Sequence, residues 1–174
     1  MTNYKNYIFY PLYGVGILDI NEIHSFDNQT KKYYKINIIK KKLDIFIPVE
    51  DAADKGLRPL STKSQWLKAH KQFFKNYICL PVDAKERRLL LQKKLSSGIL
   101  SQQIEIIRDV SITDKLNFKL PIGDKDILKN ACSMLADELM YIKNISYDIA
   151  FKEITLEIKK RLNADHLDKQ FTTN

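Results

Sequence analysis

Residues 10–16 read YPLYGVG and residues 17–23 read ILDINEI, and this stretch decides the fold of the N-terminal part. Pro11 has a fixed φ and no N–H donor, so it suits a strand end or an edge position. Gly14 and Gly16 permit a sharp bend or the close approach of another segment. Turn residues that enter an amphipathic strand are typical of the first corner of a small β-barrel, although an ordinary β-turn explains the same residues. Strand alternation would place four residues on one face: Ile17, Asp19, Asn21 and Ile23.

Three further segments extend the strand pattern to about residue 60. Residues 7–10, 31–39 and 43–49 read as strands, because apolar residues alternate or run together between polar connections. A polar turn with Asp27 and Asn28 at its tip and a run of three lysines at 40–42 form the connections. Four or five short strands joined by tight turns predict a small SH3-like barrel.

The period of the apolar residues changes after residues 56–60, which read GLRPL. Beyond this boundary the spacing is helical, and Gly98 is a natural residue just past a helix end. The polar tail 163–174 is expected to fray. The sequence thus predicts an α+β protein, with a barrel at 1–60 and an all-α bundle at 61–174. Its five predicted helices run from Ser61 or Thr62 through Phe74, over about 84–96, over about 100–112, along a long segment after Pro121, and over 147–162.

The charge is concentrated in one short window. The chain has 174 residues and a net charge of +8, and its 44% hydrophobic and 29% charged content is that of a folded protein. Between Lys63 and Lys94 there are nine basic residues against two acidic ones, a net charge of +7. Such a window favours nucleic acid or an acidic protein surface as the partner, and a solvated lysine-rich helix face is the alternative.

Motifs for catalysis and for cofactors are not found. Residues 14–16 lack the third glycine of a dinucleotide fingerprint and precede a strand, and there is no Walker motif or nucleophile elbow. The acidic pairs Glu105/Asp109 and Asp137/Glu138 read as solvated helix faces. We therefore expect no enzymatic activity, no cofactor and no small-molecule substrate, although an active site assembled from dispersed residues stays open.

Cysteine and histidine usage points away from metal sites and disulfides. Cys79 and Cys132 are far apart without ligand spacing, so each is expected to be a buried thiol in a reducing compartment. The three histidines, His24, His70 and His166, fall in different predicted elements, and no metal site is expected. No signal peptide and no apolar run of membrane-spanning length is visible, which favours a cytoplasmic protein without membrane contact.

A set of short motifs lies at residues 10–11 with 14–16, 33–34, 46–49, 56–60, 95–98, 106–110 and 131–139. In this order and at these distances they resemble the CarD/CdnL family of bacterial transcription regulators, over about residues 5 to 162. The resemblance implies a Tudor-like N-terminal domain, shared with the transcription–repair coupling factor, that binds the β subunit of RNA polymerase. It also implies a helical domain that contacts promoter DNA at the upstream edge of the melted bubble and stabilises the open complex without catalysis.

For RNA polymerase, the resemblance implies contact through the barrel strands, partly by strand addition. The matching positions are Tyr10, Pro11, His24, Phe46 and Pro48. Several relatives carry arginine at the positions of His24 and Phe46. An arginine ion pair is therefore excluded at Phe46 and is at best pH-dependent at His24. Phe46 either makes an apolar contact with the polymerase or belongs to the core.

For DNA, the resemblance and the charge window indicate phosphate contacts, which are independent of base sequence and sensitive to salt. Many family members place a tryptophan at the position of Ala84, where it wedges against the opened minor groove, and alanine cannot fill an unstacked base step. Trp66 is expected to be a core residue. The protein would act as a monomer, either on DNA by charge or as an RNA polymerase-binding adapter without DNA contact. The candidate DNA-binding residues are Lys68, Lys71, Lys85, Arg87, Arg88, Lys93 and Lys94.

Overall fold

The computed structural model describes residues 6–26, 29–116 and 120–171, and side chains are described there except at 20–26, 29–30 and 165–171. Five strands form one antiparallel sheet in the order β4-β3-β2-β1-β5. Within the described residues β4 and β5 do not pair with each other, so the sheet is an open barrel. The strands are β1 (Tyr7–Tyr10), β2 (Gly14–Phe26), β3 (Gln29–Ile38), β4 (Leu43–Pro48) and β5 (Arg58–Pro59).

The turn between β1 and β2 has one predicted and one unpredicted feature. Gly14 adopts a positive φ of 93°, as a glycine at a bend permits, whereas Leu12 adopts a positive φ of 68°, which is uncommon for a residue with a side chain. Tyr13 N donates a hydrogen bond of 3.1 Å to Tyr10 O. Further along β2, Ile20 lies opposite Tyr34 while Glu22 lies opposite Tyr33, so Asn21 is an extra residue. Such a β-bulge interrupts the side-chain alternation. The predicted simple alternation over residues 17–23 is therefore wrong beyond Ile20.

Five α-helices follow the sheet, as the sequence predicts. Thr62 caps the first helix in a capping box with Gln65, and Asp83 caps the second through a 2.8 Å bond from Glu86 N. Two bounds differ from expectation: a 3₁₀ turn (Lys71–Phe74) follows the first helix, and the last helix continues to Phe171 instead of fraying after residue 162. The helices are α1 (Lys63–His70), α2 (Ala84–Ser96), α3 (Leu100–Lys115), α4 (Ile122–Lys143) and α5 (Tyr147–Phe171).

One hydrophobic core joins the sheet to the helices. Phe9 of β1 and Val15 of β2 belong to the same buried cluster as Trp66, Leu135 and Ile154 of the helices. Trp66 is 5% exposed, which confirms its prediction as a core residue. A second, smaller cluster lies within the sheet and contains Ile8, Ile36, Ile38, Ile47 and Ala52. The α+β fold class, an SH3/Tudor-like sheet followed by a helical bundle, is confirmed.

Candidate functional surfaces

The strand β4 is one of the two edge strands of the sheet. Within the described residues, β4 pairs with β3 alone, so no strand lies along its other side. Phe46 lies opposite Lys35 across this pair, and its side chain is 42% exposed. This exposure excludes the core interpretation of Phe46, and an apolar contact with the polymerase stays a prediction. Pro48 ends the same strand, half-buried and opposite Tyr33.

The other predicted polymerase-binding residues do not lie on the β4 edge. Tyr10 is on β1, between β2 and β5, and its ring stacks on Tyr13 at 5.0 Å; burial raises the pKa of the Tyr10 hydroxyl. Pro11 is buried, so it is not available for a direct contact and its prediction as a contact residue needs correction. His24 pairs with Lys31 in the β2–β3 ladder, and its side chain lies outside the described residues.

The predicted DNA-binding residues fall into two groups. Lys68 and Lys71 are exposed on α1 and on the 3₁₀ turn after it, and Lys85, Arg88 and Lys93 are exposed on α2. Lys85 and Arg88 are three residues apart and so share one face of α2. Both α1 and α2 pack on α3. We call these five side chains the exposed cations.

Arg87 and Lys94 have structural partners instead. The Arg87 side chain is 9% exposed, and its Nε donates to Asp124 Oδ2 at 2.7 Å. The Nη1 atom of Arg87 also donates to the carbonyl oxygens of Pro81 and Val82, at 2.8 and 2.9 Å. A guanidinium with these partners is not available to phosphate, so the prediction that Arg87 contacts DNA needs correction. Lys94 is half-buried and bonds to Glu105 at 2.9 Å.

Two exposed apolar residues near the starts of α2 and α4 were missed by sequence reasoning. Val82, which precedes the N-cap Asp83 of α2, is 89% exposed, and Ile122 at the start of α4 is 80% exposed. Ala84 at the start of α2, named above for the absent tryptophan, is also exposed. Arg87 connects these two helix starts, because it bonds to the Val82 carbonyl and to the Asp124 carboxylate. An apolar residue placed just before an N-cap or at a helix start, outside the helical period, is the signal that could have identified them.

Three of the four carboxylates predicted to be solvated are buried. Asp109 is 1% exposed, and its Oδ1 accepts bonds from Arg108 Nε at 2.6 Å and Ile78 N at 3.3 Å. Asp137 and Glu138 are buried on α4, where they face the sheet. Only Glu105 is partly accessible. The prediction was wrong because helical spacing alone does not show that basic groups and backbone N–H donors from distant segments meet these acids.

The two thiols differ, and no metal site is formed by the described residues. Cys79 is exposed, contrary to expectation, and Cys132 is buried. Burial raises the pKa of the Cys132 thiol to about 12. In the described ranges no group of three or more His, Cys, Asp or Glu side chains could hold a metal ion. Among those residues, no helix combines the length and apolar character needed to cross a membrane.

The fold is an open β-barrel joined to a helical bundle that carries exposed cations, and comparison with known proteins identifies the family. The family model "CarD-like/TRCF RID domain" matches residues 3–61, and the model "CarD, C-terminal domain" matches residues 79–155. The chain belongs to the CarD family and is a transcription regulator. This is a family of transcription factors rather than of enzymes.

A relative from Bacillus subtilis (strain 168) supports the assignment. The protein described as "Putative transcription factor YdeB" is 28% identical to this chain over 142 residues. The aligned region covers 80% of this chain and 90% of the relative. The similarity therefore extends through both the sheet and the helices.

Proposed function

We propose that this protein binds the β subunit of RNA polymerase through residues 1–60 and promoter DNA through residues 61–174, and that it stabilises the open complex. It would act in the cytoplasm as a monomer. The observation that carries the proposal is the presence of two separate accessible surfaces of different chemistry. One is a sheet edge with the exposed Phe46, and the other is a set of five exposed cations on the helical half.

The β4 edge suits strand addition. A strand without a neighbour on one side offers backbone N–H and C=O groups to an extended segment of a partner, and these bonds supply affinity. Exposed side chains on the strand then supply specificity, and Phe46 offers an apolar ring. The expected polymerase contact is thus apolar and hydrogen-bonded rather than ionic, so it should depend little on salt.

The exposed cations suit phosphate contacts. Each phosphate neutralised by a lysine or an arginine releases counterions, which makes the binding sensitive to salt and independent of base sequence. Binding to polymerase raises the local concentration of promoter DNA at these side chains, so weak contacts suffice to bind the DNA. Promoter opening shifts only if some contacts form preferentially with melted DNA.

A charge-reversal experiment tests this proposal. Lys85→Glu/Arg88→Glu/Lys93→Glu should lower affinity for fork-junction promoter DNA and reduce the slope of log affinity against log salt by about three. A matched control reverses three other exposed lysines, as Lys55→Glu/Lys152→Glu/Lys159→Glu, and should change the slope much less. Equal effects of the two triple variants would show that only net charge matters.

The alternative function, an adapter that binds polymerase without DNA, is favoured by the exposed Ala84 at the start of α2, where a wedge tryptophan is absent. If polymerase binding is retained and fork-junction DNA shows no salt-dependent binding with or without polymerase, the adapter function holds. The exposed cations are then a solvated helix face.

A further inference from the structure

We infer that Asp137 and Glu138, the neighbouring carboxylates of α4, hold the sheet and the helices in one fixed arrangement and so position the exposed cations relative to the β4 edge. The effect on DNA binding rests on the proposed function, whereas the fixed arrangement of the sheet and the helices does not. The two acids act as positioning residues, because they lie on neither proposed binding surface. We call them the α4 carboxylate pair.

Glu138 accepts hydrogen bonds from β5 and from the segment that follows this strand. Its side chain is 0% exposed, and it accepts bonds from Arg58 Nη1 at 2.6 Å and Arg58 Nη2 at 2.8 Å. Ser61 N donates to the same carboxylate at 2.8 Å. A bidentate arginine–carboxylate pair fixes orientation as well as distance.

Arg58 connects β5 to more than one helix. Besides its pair with Glu138, its Nε donates to Gly98 O at the end of α2, at 2.6 Å. Its guanidinium also lies 4.3 Å from the centroid of the Phe9 ring on β1. One side chain thus joins the sheet to α4 and to α2, the helix that carries three of the exposed cations.

Asp137 makes a separate contact with the start of β2, on the other side of β1 from Arg58. Its Oδ2 accepts a 2.9 Å bond from the backbone N of Val15, the second residue of β2. A Cβ on Gly14 would lie 2.6 Å from the same oxygen, and Gly14 has a φ of 93°. The carboxylate therefore fits against the backbone only because residue 14 is a glycine.

Buried Pro11 makes a third contact. A Cβ on Gly56 or on Gly98 would lie 2.9 Å from Pro11 Cγ, and both glycines have positive φ. The turn after β1 is therefore packed closely against the segments before β5 and after α2. Domains usually move relative to one another unless their interface is large and apolar. Here the shared core and these polar contacts both oppose such motion.

A fixed arrangement changes how polymerase binding assists DNA binding. A flexible connection would spread the helices over a large volume, whereas a rigid one confines the exposed cations to one position beside the polymerase. The α4 carboxylate pair should therefore matter when polymerase and DNA are bound together. It should matter little for either ligand alone.

A distance measurement tests the geometry directly. Spin labels at Leu43→Cys on β4 and Leu89→Cys on α2 would report the distance between the two halves of the full chain, in a Cys79→Ser background. Both positions are exposed, at 42% and 68%. We expect a single narrow distribution that broadens in Arg58→Lys/Asp137→Ala. A broad distribution in the parent chain would overturn the inference, whether or not the protein binds DNA.

A binding measurement tests the consequence. For Arg58→Lys/Asp137→Ala we expect the affinities for polymerase alone and for DNA alone to stay within about twofold of the parent. Polymerase increases the affinity for DNA, and we expect this increase, the gain, to be about tenfold smaller in the double variant. Asp137→Asn keeps an acceptor for Val15 N and should restore part of the gain when it replaces Asp137→Ala in the double variant. An unchanged gain with a broadened distance distribution would contradict the positioning role.

Controls distinguish a failure of the fixed arrangement from a failure of the proposed function. Glu153→Gln removes a carboxylate of α5 that pairs with Lys143, outside the contacts described above, and should leave the distances and the gain unchanged. If the double variant does not fold, Arg58→Lys alone tests the same contact, since lysine keeps the charge but cannot bond bidentately. If the parent chain gains no DNA affinity from polymerase, the proposed function fails while the distance measurement still decides the geometry.

Discussion

Under the proposed function, the β4 edge and the exposed cations would bind their partners by different forces. At the β4 edge the backbone of an edge strand would be the main attraction, and a single exposed ring would add to it. On the helices the attraction would be side-chain charge held on a rigid scaffold. The first surface should therefore be insensitive to salt and the second sensitive to it. The two can be altered independently, which gives each of the following predictions a clear contrast.

The largest expected effect is the loss of stability in Arg87→Met. Compared with the same change at Arg88, it distinguishes a structural cation from an exposed cation on one helix. The change leaves Asp124 buried without its guanidinium partner, and breaking a buried ion pair in this way costs about 3–5 kcal/mol of unfolding free energy. The matched change at its exposed neighbour, Arg88→Met, should alter stability by about 0.5 kcal/mol or less. Urea unfolding of both variants is the measurement, and similar losses would contradict the assignment.

Ala84→Trp should convert binding by charge into binding by charge and stacking. An exposed aromatic ring at the start of α2 can stack on an unpaired base, which is worth about 1–3 kcal/mol. We expect tighter binding to fork-junction DNA and unchanged binding to fully paired DNA of the same length. Equal strengthening on both DNAs would show that the ring does not recognise opened bases.

Phe46→Ala should weaken polymerase binding by about 1–2 kcal/mol, because an exposed aromatic residue at an interface is a typical centre of affinity. The loss should be the same at low and high salt, and DNA binding without polymerase should not change. Val49→Ala removes another exposed apolar side chain just after β4 and is the matched control. A loss for Phe46→Ala that disappears at high salt would mean that charge, not the ring, dominates this edge.

Asp137→Asn should have the smallest effect on the unfolding free energy, and the size of this effect should depend on pH. Burial raises the pKa of Asp137 above its ordinary value of 3.8, so the stability contributed by its protonated form is present below 3.8 and lost as pH rises through the folded-state pKa. The asparagine variant has no such loss. Its advantage in unfolding free energy should be greatest at neutral pH and decrease as the pH falls towards 3.8. An advantage that grows on acidification would contradict the raised pKa.

Local signals predicted most of the fold. Pro11 and Gly14 marked the first turn, Thr62 was one of two residues predicted to cap the first helix, and apolar spacing separated strands from helices. The bulge at Asn21 was missed because it depends on the pairing of β2 with β3 rather than on β2 alone. The continuation of α5 to Phe171 was missed because a polar sequence can still be helical.

The candidate surfaces were only partly predictable. Sequence located the basic window, but it could not tell Arg87 from Arg88, since only the fold brings Asp124 beside the first of them. Sequence also took Asp137 and Glu138 for solvated residues, because their partners Val15 and Arg58 lie in the distant sheet half. Burial of charge is a property of long-range packing, and periodicity within one helix does not report it.

One titration tests the central claim that the two surfaces act separately and together. Affinity for fork-junction promoter DNA would be measured with and without RNA polymerase for the parent chain, for Phe46→Ala, and for Lys85→Glu/Arg88→Glu/Lys93→Glu. We expect Phe46→Ala to reduce only the increase in DNA affinity that polymerase provides. We expect the charge-reversal variant to reduce the affinity for DNA both with and without polymerase. DNA binding without polymerase that depends on Phe46, or polymerase-assisted DNA binding that survives the charge reversal, would contradict it.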